Sequence, residues 1–152
     1  MTARLNYAKL MPGGYQAMLG VEKYLSQSTI DAKLRQLVAL RASQINHCAF
    51  CIDMHTHELR KEGETQLRID LLPAWREVSI YTAREKAALA WTEAGTILAP
   101  EFMPDSLYEE VRKEFSEQEL ADLTLQVAQI NSWNRLSVAM RAVPASLAKV
   151  AA

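Results

Sequence analysis

The sequence predicts an all-helical fold, and three observations predict it. Apolar residues recur at intervals of three and four along most of the 152 residues, which is the period of one helix face. Glycine and proline number only five each, too few for a many-stranded sandwich or barrel that needs a turn roughly every 8–12 residues. Thr82-Ala83-Arg84-Glu85 and Ser116-Glu117-Gln118-Glu119 are capping boxes, in which a hydroxyl and a carboxylate satisfy the free N–H groups of a helix start.

The elements follow in order. Residues 14–27 place Tyr15, Met18, Leu19, Val21, Tyr24 and Leu25 on helical spacing, after a turn signal at Pro12-Gly13-Gly14. A second helix runs from Asp31 to about Asn46, with Leu34, Leu37, Val38, Ala42 and Ile45 in line. Asp31 suits its start and Asn46 its stop. A third runs from Cys48 to about Glu62, and Gly63 follows Arg60 and Lys61 as a C-terminal glycine. Residues 65–72 read as a shorter helix ended by Pro73. The Thr82 box opens an alanine-rich helix to about Leu98, and Pro104 and Asp105 start another to about Phe115. The Ser116 box opens the last helix, through Leu120, Leu123, Val127, Ile130, Trp133 and Leu136 to about Arg141. The expectation is six to seven helices in one domain, residues 1–152, since no segment has the composition of a linker. Ile80-Tyr81 is too short to count as a strand.

Ala39-Leu40-Arg41-Ala42-Ser43-Gln44-Ile45-Asn46 is echoed by Thr124-Leu125-Gln126-Val127-Ala128-Gln129-Ile130-Asn131, with four of eight positions identical. The two read as equivalent helices of an internal pseudo-repeat, with chance likeness as the rival at this length. The second copy has Trp133 where the first has Cys48, so only the first is equipped for thiol chemistry.

Composition narrows the function. The chain is 49% hydrophobic and 23% charged, ordinary for a soluble domain able to bury its own core. Its formal net charge is −1, with bases and acids interleaved, so nucleic acid is not an expected partner. Met1-Thr2-Ala3-Arg4-Leu5-Asn6-Tyr7 has no apolar core of a signal peptide. No apolar run approaches the roughly 18 residues of a membrane span. The expected location is therefore the cytoplasm, where a cysteine pair is a catalytic or metal-binding group rather than a staple.

Cys48 and Cys51 are the only cysteines, three apart, and His55 lies four further on. At about 100° per residue these three side chains share one stripe of a helix, while His57 points away. A thiol attacks as its thiolate, with a free pKa near 8.5. The first turn of a helix favours that anion, an imidazole one turn away takes the proton, and a second thiol resolves an oxidised first one. The helix dipole favours Cys48 as attacker and the i, i+4 imidazole favours Cys51. The dipole is worth less than about 1 kcal/mol, and a proton-accepting partner changes reactivity more. Cys51 is therefore the expected attacker and Cys48 the resolver. The competing readings are two inert buried thiols, or a zinc site of Cys48, Cys51, His55 and a fourth ligand. No second CxxC or HxxxH supplies such a ligand. His47 and His57 read as solvent-facing, and Trp75, Trp91 and Trp133 as core. Nothing in the sequence calls for a cofactor or a metal.

The run Leu37-Val38-Ala39-Leu40-Arg41-Ala42-Ser43-Gln44-Ile45-Asn46-His47-Cys48-Ala49-Phe50-Cys51-Ile52-Asp53-Met54-His55 resembles the core motif of the alkylhydroperoxidase D-like (AhpD-like) branch of the carboxymuconolactone decarboxylase family. Gly63-Glu64-Thr65, Leu72-Pro73-Ala74-Trp75-Arg76, Ala87-Ala88-Leu89-Ala90-Trp91-Thr92-Glu93-Ala94 and Gln129-Ile130-Asn131-Ser132-Trp133-Asn134-Arg135 extend the likeness over nearly the whole chain. The resemblance implies an all-α bundle with internal pseudo-symmetry, assembled as a homo-oligomer (hexamer, trimer or dimer). It implies a peroxidase or disulfide relay in which Cys51 matches the peroxidatic cysteine, Cys48 its disulfide partner and His55 the proton-relay histidine. It also implies a hydroperoxide substrate and a dithiol reductant, lipoyl-type or thioredoxin-like.

Three positions depart from the family pattern. Gln36 stands where relatives carry a glutamate, Phe50 where they carry a histidine, and His47 where glycine is common. An amide orients a partner but does not exchange protons at ordinary pH. The first two changes weaken peroxide reduction and leave disulfide exchange intact. The decarboxylase branch lacks the cysteine pair, so a muconolactone substrate is not expected. The expected activity is a thiol-dependent peroxidase with an antioxidant role. The alternatives are a redox sensor or disulfide relay with little peroxide turnover, and a metal-binding or purely structural helical oligomer.

Overall fold

The computed structural model describes residues 2–98 and 102–150 of the chain. Met1, residues 99–101 and residues 151–152 of the expected domain lie outside the described residues. Among the described residues there are nine α-helices, one 3-10 segment and no strand. The helices are α1 Tyr7–Leu10, α2 Pro12–Leu25, α3 Ala32–Ile45, α4 Ala49–Lys61, α5 Gln66–Leu71, α6 Ala83–Thr96, α7 Asp105–Arg112, α8 Glu117–Met140 and α9 Ala145–Val150. The count exceeds the expected six to seven because short helices form at both ends. Four residues at α1 and six at α9 are too few to show a hydrophobic period.

The helix starts expected from chemistry are where that chemistry puts them. Asp31 caps α3 by accepting from the Leu34 N–H at 2.9 Å. Both capping boxes form in full, at Thr82 for α6 and at Ser116 for α8. One expectation at a proline is corrected. Pro12-Gly13-Gly14 is the first turn of α2 rather than a turn before it, because the fixed φ of proline suits the first helical position, where no N–H is needed. The helix expected to end at Pro73 does so: α5 stops at Leu71 with Leu72 as its C-cap, and the 3-10 segment Leu72–Glu77 follows.

α3 is the central element, packed against α4, α6 and α8. Leu34, Leu37, Val38, Ala39, Leu40, Ala42 and Ser43 of this helix are all buried, so its sides are committed in several directions at once. One side joins Trp91 of α6 with Leu123 and Val127 of α8. Another joins Leu59 of α4, Leu72, Trp75 and Leu89. Ala39 and Ala42 meet Ile130 of α8 on a third side, where small residues let the two helices approach. The echoed segments lie on α3 and α8, and the Asn46 Nδ2 donates to Oδ1 of its counterpart Asn131 at 2.9 Å.

Trp75 and Trp91 are buried core residues, as expected. Trp133 is only half-buried and belongs to a cavity wall. It packs against the cluster of Ala39, Ala42 and Ile130 and meets Tyr15 at the cavity. No helix among the described residues is long and apolar enough to cross a membrane.

Candidate active site

The turn between α3 and α4 is built from two interlocking helix ends. His47 N–H donates to Gln44 O at 3.2 Å and Cys48 N–H to Ser43 O at 3.0 Å, the paired bonds that close a helix through a left-handed residue. That residue is His47, with φ 53°. L side chains occupy this backbone region rarely and at a cost, which accounts for the glycine that the resemblance places there. The His47 side chain is exposed, and so is that of His57. Cys48 is at once the residue after the α3 stop and the N-cap of α4, where its Sγ accepts from the Cys51 N–H at 3.3 Å.

Cys48 and Cys51 form a disulfide with their Cα atoms 5.3 Å apart, within the span such a bond bridges. Both are buried, and His55 is 9% exposed. The structure brings the three residues of the candidate site together, at the N-cap and along the first two turns of α4. The cavity beside them, about 470 Å³, distinguishes the sulfurs: Cys51 and His55 line it and Cys48 does not. Tyr7, Tyr15, Leu19, Phe50, Met54 and Trp133 give it a largely apolar wall. Tyr15 meets Trp133 edge-on, with ring centroids 5.5 Å apart.

His55 Nδ1 lies 2.7 Å from Gln36 Oε1. An amide oxygen only accepts, so this bond puts the ring proton on Nδ1 and leaves the Nε2 lone pair free. Nε2 is buried and has no protein partner. Burial pushes the imidazole down to about 4, against a smaller upward pull from Glu58. The ring is therefore a neutral base at ordinary pH, with its accepting nitrogen open. Among the described residues no group of three or more His, Cys, Asp or Glu side chains is arranged to hold a metal ion.

Other residues here escaped sequence reasoning. Tyr7 reaches the cavity because the N-terminal arm is tied across α8, with Arg4 N–H on Met140 O at 2.9 Å and Arg4 Nη1 on Ala139 O at 3.0 Å. Glu22 of α2 accepts from Trp133 Nε1 at 2.7 Å. A polar network supports the cysteine turn from behind. Asn46 Nδ2 donates to Asn134 Oδ1 at 2.9 Å, and Asn134 Nδ2 donates to Ser43 Oγ at 3.0 Å. Asparagines inside an apolar helix pattern were the available signal, because a buried amide must be paired. Asn134 is 1% exposed. Replacing it by Ala is expected to cost about 2 kcal/mol, from lost bonds and a stranded donor on Asn46. Urea denaturation of the oxidised protein checks this, and an unchanged midpoint contradicts it.

A model of the carboxymuconolactone decarboxylase family matches residues 12–94. The uncharacterized protein YdfG of Bacillus subtilis (strain 168) is 47% identical over 140 residues, covering 92% of this chain and 95% of that one. The crystal structure of ATU0492 from Agrobacterium tumefaciens, a protein of unknown function described as a candidate antioxidant defence protein AhpD, superposes with a TM-score of 0.90 at 39% identity. That match covers 94% of this chain and 98% of the other. The debrominase Bmp8 shares the fold, with a TM-score of 0.78 at 20% identity over 88% of this chain and 72% of its own. The chain belongs to the carboxymuconolactone decarboxylase family, and its structural neighbours are AhpD-like proteins.

Proposed function

We propose that the protein is a thiol peroxidase that reduces organic hydroperoxides through a Cys48–Cys51 dithiol–disulfide cycle. The observation that carries this reading is the asymmetry of the cysteines. Cys51 and His55 line one largely apolar cavity and the His55 Nε2 has no protein partner, while Cys48 does not line the cavity but lies within disulfide reach of Cys51. In the reduced protein, Nε2 takes the Cys51 thiol proton. The thiolate attacks the outer peroxide oxygen and the O–O bond breaks. Its electron pair leaves on the alkoxide, which takes the proton back from His55 and departs as alcohol. Cys51 is then a sulfenic acid. The Cys48 thiol attacks its sulfur, water leaves, and the disulfide seen here results. An external dithiol of the lipoyl or thioredoxin-like class restores both thiols by exchange and carries the disulfide away. The aromatic wall supports an organic peroxide over hydrogen peroxide, because it contributes binding only to a substrate with apolar surface.

Steady-state turnover is the test of the cycle. With dihydrolipoamide as reductant, alcohol should form in step with dithiol consumed, and cumene hydroperoxide should be used more efficiently than hydrogen peroxide. Dithiol oxidation without peroxide dependence would overturn the reading. It would instead favour a disulfide relay, for which Gln36 is the specific observation. Its amide orients His55 at 2.7 Å but offers no second proton-exchanging group.

A further inference from the structure

The ring of His55 becomes a cation whenever it takes a proton from Cys51, and no protein group bonded to it carries compensating charge. Its Nδ1 partner is the neutral amide of Gln36, and its Nε2 has none. Two carboxylates line the large cavity, Glu22 on α2 and Glu58 on α4. Glu58 pairs with Lys61 at 2.7 Å on the exposed side of the helix, where solvent already screens it. Glu22 is half-buried, and its Oε1 is held by Trp133 Nε1 at 2.7 Å.

A second cavity, about 120 Å³, includes Arg35 and Gln126 in its wall. Glu22, Gln36 and His55 are the three residues common to both cavities. A polar space of this size has room and partners for ordered water, and a bridging water transmits a polar contact nearly as well as a direct bond.

We propose that Glu22 is a second carboxylate of this site, beside the solvent-screened Glu58: through water between the residues that line both cavities, it stabilises the His55 imidazolium formed as Cys51 loses its proton. The proton passes from the Cys51 sulfur to Nε2, leaving thiolate and imidazolium, and Glu22 stays ionised throughout. Glu22 acts through His55 and is a positioning residue. The assignment rests on the reading of Cys51 and His55 as the reactive pair, but not on peroxide as substrate. The other charged or titratable groups that face the ring's surroundings are Arg35 from α3, Glu58 from α4, Tyr15 from α2 and Tyr7 from α1. Arg35 donates to the Ile30 carbonyl, and its positive charge opposes the imidazolium, which makes a nearby anion more necessary. Burial of the ring works in the same direction.

The test uses the rate of Cys51 alkylation by iodoacetamide as a function of pH, in Cys48→Ser protein so that one thiol is read and no peroxide is involved. Glu22→Gln should move the acid limb of the profile up by about one pH unit and slow alkylation at pH 7 about tenfold. Glu22→Asp should fall between the two. Adding Gln36→Glu to Glu22→Gln should restore the profile, because it returns a carboxylate to the same space. A profile unmoved by Glu22→Gln overturns the proposal. So does a loss that Gln36→Glu leaves in place, which would make Glu22 a structural partner of Trp133 only. Wild-type protein inert to peroxide but with Glu22-dependent alkylation would sink the peroxidase reading and leave this one standing.

Discussion

Cys51→Ser should reduce hydroperoxide consumption to the uncatalysed background, a loss of about a thousandfold or more, the scale on which removing a nucleophile acts. The reason is geometric. Cys51 lines the cavity with His55, and the other sulfur does not. Cys48→Ser should behave differently. Its Cys51 still meets peroxide and His55, so one equivalent is consumed at a rate near that of wild type. The reaction then stops at the sulfenic acid, which dimedone traps. Single-turnover kinetics with mass spectrometry of the two variants separates the roles. Equal loss in both variants, or trapping on Cys48 in Cys51→Ser, would reverse the assignment.

His55→Gln carries the second large effect, and it has two independent readouts. The first is rate. Removing a positioned proton acceptor should slow the first oxidation about 100-fold and remove the dependence on an imidazole. The second is stability of the oxidised protein. Burial holds the His55 imidazole at about 4, against an ordinary 6.5. Between those values the unfolded chain binds a proton that the folded chain does not, so folding weakens as pH falls. The contribution is whole above pH 6.5 and is lost on the way down to about 4. Its size is about 3 kcal/mol. Glu93, where burial pushes the carboxyl up but the hydrogen bonds from Arg76, Trp75 and Arg41 together hold it below its ordinary range, and Glu119, held below by hydrogen bonds from Ser116 and Arg84, add their own acid sensitivity in both proteins. The difference between wild type and His55→Gln in urea denaturation therefore isolates the ring. A difference that stays constant from pH 7 to 4.5 would mean that the imidazole is not buried neutral.

Much of this was legible in the sequence because local chemistry decided it. Asp31, Thr82 and Ser116 cap the helices they were expected to cap. Gly63, expected as a C-terminal glycine, has φ 75° after α4. The stripe of Cys48, Cys51 and His55 needed only the helical repeat. The cavity was not legible, since its walls come from α1, α2, α3, α4 and α8, elements spread along the whole sequence. Tyr7 had no signal at all, because a four-residue helix shows no period and its position depends on Arg4 binding the end of α8. Trp133 fitted a core pattern on α8 and was expected there, yet its indole N–H serves Glu22. Glu22 itself sits in an amphipathic helix where a solvated acid is the default. Only the packing of α2 across α8 gives it another role.

The most direct test of the central claim is the rate at which reduced protein loses its thiols to cumene hydroperoxide in stopped flow, set beside free cysteine. Two thiols should disappear per peroxide, far faster than in free cysteine, with one equivalent of alcohol released and Cys48 joined to Cys51. Loss no faster than in free cysteine would contradict the account and assign the pair to disulfide exchange instead.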